Sequence, residues 1–180
     1  SDDDFTAIRL EPYLLTAAQA HPDLAAPLKF LVQETLGMKL ALVHGDVSPK
    51  NILVGRRGPV FLDAECAWYG DPAFDLAFCL NHLLLKCMLN RRAITRFLTC
   101  YDRFAETYLR AVNWELRDEL EPRAACLLPA LLLARVDGKS PVEYITEEAD
   151  KERVRKVARF LLTERTERLE TVRDTWAAEL

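Results

Sequence analysis

Histidine is scarce in this chain. His21, His44 and His82 are the only three, too few for the multi-histidine centre of a typical metallohydrolase. The five cysteines (Cys66, Cys79, Cys87, Cys100 and Cys126) are odd in number and show no Cys-x-x-Cys spacing. That pattern excludes a disulfide framework or zinc ribbon and fits free, mostly buried thiols in a reducing compartment. No apolar run reaches about 18 residues without a charge, so no membrane span is expected. The longest candidate, Leu127 to Ala134, has the length of a buried helix segment. No leader-like segment opens the chain, and a cytoplasmic location is expected. Basic charge is not in excess: the net charge of −4 argues against nucleic-acid binding, which depends on phosphate neutralisation. It suits a polar or cationic small substrate.

What is present is a core. Half of the 180 residues are hydrophobic, enough for one globular domain and too many for intrinsic disorder. The start, Ser1 to Asp4, is polar and acidic. Phe5 to Ala20 reads as a helix interrupted near Pro12, and His21-Pro22-Asp23 opens a second helix that Gly37 can end. The texture changes at Leu40. A short apolar run to Val43 leads into a loop from Gly45 to Lys50. A strand from Asn51 to Val54, a turn from Gly55 to Gly58 and a second strand from Pro59 to Leu62 follow. From Pro72 onward the periodicity is helical again. Expected helices run from Pro72, from Asn90 to about Val112, and from Leu116 to Val136 with disturbances at Pro122 and Pro129. A last long helix is expected from near Asp150 through Trp176. Its charges Arg153, Arg155, Lys156, Glu164 and Arg168 read as a solvated face. The fold class is α+β, mainly α: a helical bundle carrying one short β-hairpin.

The chemistry lies in that hairpin and the loop before it. With Gly55 to Gly58 as the turn, antiparallel pairing puts Asn51 opposite Leu62 or Asp63, and opposed Cα atoms lie about 4.5–5.5 Å apart. An amide oxygen beside a carboxylate suits Mg²⁺, a hard cation that prefers oxygen donors and keeps some waters. Asp46 enters the same end of the hairpin five residues before Asn51. A carboxylate there can orient an acceptor hydroxyl and take its proton during phosphoryl transfer. Gly45 permits a tight turn and Pro49 stiffens the loop. Taken alone, His44 could be read as a metal ligand.

His44-Gly45-Asp46 through Asn51, then Asp63-Ala64-Glu65 and the run from Trp68 to Ala77, resemble the aminoglycoside phosphotransferase and choline kinase type of small-molecule kinase. That resemblance implies a protein-kinase-like fold, of which this would be the C-terminal lobe. It implies ATP as phosphoryl donor, Asp46 as catalytic base, and Asn51 and Asp63 as Mg²⁺ ligands. It also implies Asp75 as the residue holding the catalytic loop through backbone hydrogen bonds, with His44 structural. The Asp63-x-Glu65 spacing is similar to the variant in methylthioribose kinases, which implies Glu65 at the metal site. Trp68-Tyr69-Gly70 and Arg135-x-x-Gly138 resemble that branch too, making Trp68, Tyr69 and Arg135 candidates for contact with the substrate. Packing for the aromatics and a helix-dipole role for Arg135 are the alternatives.

Kinases of this fold carry an N-terminal, mostly β lobe with a nucleotide-covering loop and a phosphate-pairing Lys. Here the residues before the loop read as helices, and Lys29 and Lys39 read as surface charge. The expectation is therefore residues 1–180 as the catalytic lobe alone, without the nucleotide-binding lobe and inactive by itself. Its expected partners are a nucleotide and a small hydroxyl substrate, with self-association through an exposed apolar inter-lobe face. The alternative is a non-catalytic binding module that kept the fold.

Overall fold

A computed structural model describes residues Ser1–Leu180. Its first helix, α1, covers residues 2–20. Ser1 starts it with a capping box, its hydroxyl accepting from the Asp4 amide and donating to the Asp4 carboxylate. Three acids in the first turn complement the helix dipole. The expected interruption at Pro12 is a change of winding instead. Thr6–Leu15 is π-helical, and Thr16 N–H reaches back to Glu11. The wider turn absorbs the residue that lacks an N–H. Pro22–Leu24 forms a 3₁₀ turn, and helix α2 spans Ala25–Gly37.

Strand β1, Ala41–Val43, does not stand alone. It pairs antiparallel with β4, Trp68–Gly70, a three-residue strand too short to announce itself by period. Between them lie a 3₁₀ turn at Pro49–Asn51 and the hairpin of β2, Ile52–Gly55, and β3, Gly58–Phe61. Ile52 faces Phe61 and Gly55 faces Gly58, which leaves Arg56 and Arg57 as the turn. The hairpin is uncovered: Leu53, Val54, Val60 and Phe61 are exposed, as are Leu42 on β1 and Tyr69 on β4.

Helix α3, Ala73–Leu89, is the centre of the core. The Asp71 carboxylate caps it by accepting from Ala73 N–H at 3.0 Å. Nearly all its apolar side chains are buried, each Leu, Phe or Met among them contributing about 1.5–3 kcal/mol. It packs on helix α4, Ile94–Ala111, and most extensively on helix α5, Arg117–Asp137. Helix α5 runs through Pro122 and Pro129 without a break. The C-terminal segment departs from the expected single helix. Helix α6, Glu148–Glu164, stops where Arg165 turns left-handed (φ 49°), and helix α7, Leu169–Glu179, folds back. The Tyr101 hydroxyl donates to Leu169 O at 2.9 Å, and Trp176 enters the core at 1% exposure. Nor is the charged face of α6 wholly solvated: Arg155 grips both carboxylate oxygens of Asp137 at 2.8 Å. No helix is long and apolar enough to cross a membrane.

Candidate active site

The loop after β1 is built around Gly45. Its φ of +78° favours glycine, and a Cβ there would lie 2.6 Å from the Cys66 carbonyl oxygen. The first turn of α3 fastens this loop. Asp75 accepts the His44 N–H at 2.7 Å on one oxygen and the Gly45 N–H at 2.8 Å on the other. Burial pushes the Asp75 carboxyl above the usual range, while these two amides pull it back. His44 Nδ1 lies 3.2 Å from the Asp46 amide and accepts from it, so Nε2 carries the proton and donates to Leu62 O at 2.9 Å. His44 thus joins the loop to the hairpin.

Asp46 and Asn51 are buried side by side, at 8% and 6% exposure. The Asn51 amide nitrogen donates to both the backbone oxygen and the Oδ2 of Asp46, each at 3.0 Å. Arg9 Nη2 lies 3.2 Å from the same Oδ2 and Lys50 Nζ 3.7 Å from it. The contacts converge on one carboxylate oxygen, Oδ2, and none is made to Oδ1. Sequence reasoning did not find Arg9. It belongs to α1, its Nε donates to Gly45 O, and it stands over the rings of Tyr13 and Phe78. No local spacing signals that contact.

Asp63 follows β3. Leu62 N–H donates to Asn51 O at 2.9 Å, closing the hairpin, and Asp63 is the next residue on. It is left-handed (φ 63°, ψ 53°), a strained conformation for a residue with a side chain. Asp63 and Glu65 are exposed there. With the Asn51 nitrogen engaged, its Oδ1 is the atom free for a cation. An amide oxygen with one or two carboxylates fits Mg²⁺ completed by water. The structure brings no three His, Cys, Asp or Glu side chains together in a metal-binding group, at this junction or elsewhere.

The three substrate candidates go different ways. Trp68 is not on the cavity beside Asp46. It is 5% exposed, stacks on Phe5 with centroids 4.2 Å apart and donates from Nε1 to Asp2 at 2.8 Å. Its large apolar ring finds more contact under α1 than a pocket wall would offer. Lys39 is pinned over the same ring, 4.0 Å from its centroid, and pairs with Asp2 at 2.6 Å. Tyr69 is exposed on β4, paired with the exposed Leu42 of β1. Arg135, in the last turn of α5, lines the Asp46 cavity and donates to the Tyr13 hydroxyl at 3.1 Å and to Ser140 O. That cavity, about 480 Å³, also takes in Lys86, His82 and Tyr144, which sequence reasoning did not single out.

A loop fastened by a helix-borne Asp, a buried Asp–Asn pair and a hairpin ending in Asp form the arrangement that the sequence resemblance implies for a phosphotransferase, here on a mainly helical fold. The comparison with protein families agrees. The chain belongs to the phosphotransferase enzyme family, whose model matches residues 3–105, and so has the kinase-like fold. A methylthioribose kinase from Erwinia tasmaniensis is 30% identical to it over 90 residues, an alignment covering 42% of this chain and 23% of that protein. The matched part is thus under a quarter of the relative's length.

Proposed function

We propose that this chain is the catalytic lobe of an ATP-dependent phosphotransferase that moves the γ-phosphoryl group to a hydroxyl of a small molecule. The observation that carries the reading is the Asn51 amide bridging two oxygens of Asp46. It leaves one oxygen of each side chain free at a single loop–hairpin junction. Asp46 orients the acceptor hydroxyl and takes its proton as the acceptor oxygen bonds to the γ-phosphorus. The bond from that phosphorus to the bridging oxygen breaks, and ADP leaves. Asn51 and Asp63, with Glu65 beside them, would hold Mg²⁺, which when bound offsets the charge of the donor phosphates. Asp75 and His44 are positioning residues.

No strand precedes Ala41, and Lys29 and Lys39 lie outside any strand. Cover for the nucleotide therefore has to come from a second lobe, and the 180-residue chain alone should turn over little or no ATP. Robust kinase activity from this chain alone would contradict that. The apolar face of Leu42, Val54, Phe61 and Tyr69 is where we expect that lobe, or a second copy of this chain, to sit. A clean monomer in sedimentation at high concentration would remove the second copy.

The test of the reaction uses a longer protein in which this lobe is joined to a nucleotide-covering one. Asp46→Asn should lower kcat by about 10²-fold or more, the range of general-base catalysis, with Mg²⁺ binding retained. An unchanged kcat would sink the assignment.

A further inference from the structure

The cavity beside Asp46 is more cationic than the reaction needs. Arg9, Lys50, Lys86 and Arg135 line it, against the carboxylates of Asp46 and Glu143. Arg9 and Lys50 are engaged with Asp46. Lys86 and Arg135 make no ion pair. The Lys86 ammonium lies 5.6 Å from the Tyr144 ring centroid, and Arg135 Nη1 donates only to the neutral oxygens of Tyr13 and Ser140. His82 adds no further positive charge: burial pushes it down to about 3, and the four cations push the same way.

A second observation concerns hydrogen bonds. Three buried polar atoms in residues lining this cavity have no hydrogen-bond partner: Ser48 Oγ, Arg135 Nε and the Tyr144 hydroxyl. Ser48 is 1% exposed. Buried polar groups are nearly always paired, and an unpaired one costs about 1–3 kcal/mol. Lys86 and Arg135 without an ion pair, with the unpartnered hydroxyls of Ser48 and Tyr144 around the same space, describe half of an anion-binding site.

We infer that the acceptor is an anionic hydroxyl compound, either a hydroxy acid or a phosphorylated polyol. Lys86 and Arg135, with Ser48 and Tyr144, receive its anionic group while its hydroxyl meets Asp46. The inference rests on the assignment of Asp46 as the acceptor-side base. It reverses the expectation drawn from net charge, because the acidic balance of the whole chain is not the charge of the cavity. A cationic acceptor would meet uncompensated like charge there.

Calorimetric titration of the chain without ATP tests it, using D-glycerate, ribose 5-phosphate, neutral ribose and choline as probes. At least one of the two anions should bind about tenfold or more tighter than ribose and choline, as one charge-assisted contact provides. Which anion binds decides between carboxylate and phosphate. Lys86→Met should weaken that binding about tenfold, with Lys86→Arg restoring it. Asp46→Asn removes a carboxylate from the cavity, so the anion should bind at least as tightly as to wild type, whereas in the longer protein the same change abolishes transfer; the two readouts separate failure of this inference from failure of the catalytic assignment. Ribose or choline binding as tightly as the anions, no anion binding at millimolar concentration, or an affinity indifferent to Lys86→Met would overturn it. So would a loss confined to ATP binding in Lys86→Met, which would assign the cations to the donor.

Discussion

Arg9 of helix α1 lies 3.2 Å from Asp46 Oδ2 and donates from Nε to the Gly45 carbonyl. A helix from the start of the chain thus holds the loop after β1 by both its backbone and the Asp46 side chain. Arg9→Met keeps the apolar stem over Tyr13 and Phe78 but removes both contacts. The expected loss is about 1–3 kcal/mol, the range for hydrogen bonds to charged groups. Urea unfolding measures it, and a midpoint equal to wild type would mean that α1 only packs beside the loop.

Gly45→Ala should be worse for the site than its size suggests. The new methyl would meet the Cys66 carbonyl at 2.6 Å while the backbone stays at φ +78°. The strain is about 1–3 kcal/mol, and it falls on the residue whose N–H bonds Asp75. Lower thermal stability with faster hydrogen exchange at the His44 and Gly45 amides is the expected result. Wild-type exchange at both positions would contradict it.

Arg123 of α5 donates to Asp71 at 3.1 and 3.0 Å and to Glu115 at 2.7 Å. Both acids are nearly buried, and Asp71 caps α3. Arg123→Met would strand two carboxylates, a change costing about 3–5 kcal/mol. A melting temperature close to wild type would show that water reaches these groups in solution.

His82 should make the protein acid-sensitive. Burial first, then the surrounding cations, depress its folded-state value from 6.5 to about 3. The folded protein therefore holds it neutral while the unfolded chain takes up a proton below 6.5. This contribution to stability is complete above that pH and is lost as pH falls toward 3, at about 1.4 kcal/mol per unit. In His82→Phe it is absent, so the gap between the two proteins should shift against wild type across that window. Parallel urea midpoints at every pH would dismiss the effect.

The legible part of the site was the local part. The Asp46–Asn51 contact and the hairpin that Asp63 follows lie within a short stretch of chain, where turn chemistry and strand register act directly. Asp75 was accessible only through a family resemblance, because its bonds to His44 and Gly45 cross a strand, a hairpin and a helix start. Trp68 illustrates the opposite problem. Its place in a motif suggested a pocket wall, whereas Phe5 and Asp2, both far away in sequence, draw it into the core. The final helix was expected to be continuous because its apolar stripe is continuous. The break at Arg165 depends on α7 folding back to bury Trp176.

By itself, then, the sequence determined a mainly helical lobe with a hairpin and a loop suited to phosphoryl transfer. Those features follow from periodicity, turn residues and spacings of a few positions. Only the tertiary structure brought Arg9, Lys86 and Arg135 to the same cavity as Asp46, from three different helices. The charge of that cavity is a sum over residues that share a space and not a neighbourhood in the chain, so it is set by the packing of α1 against α3 and α5.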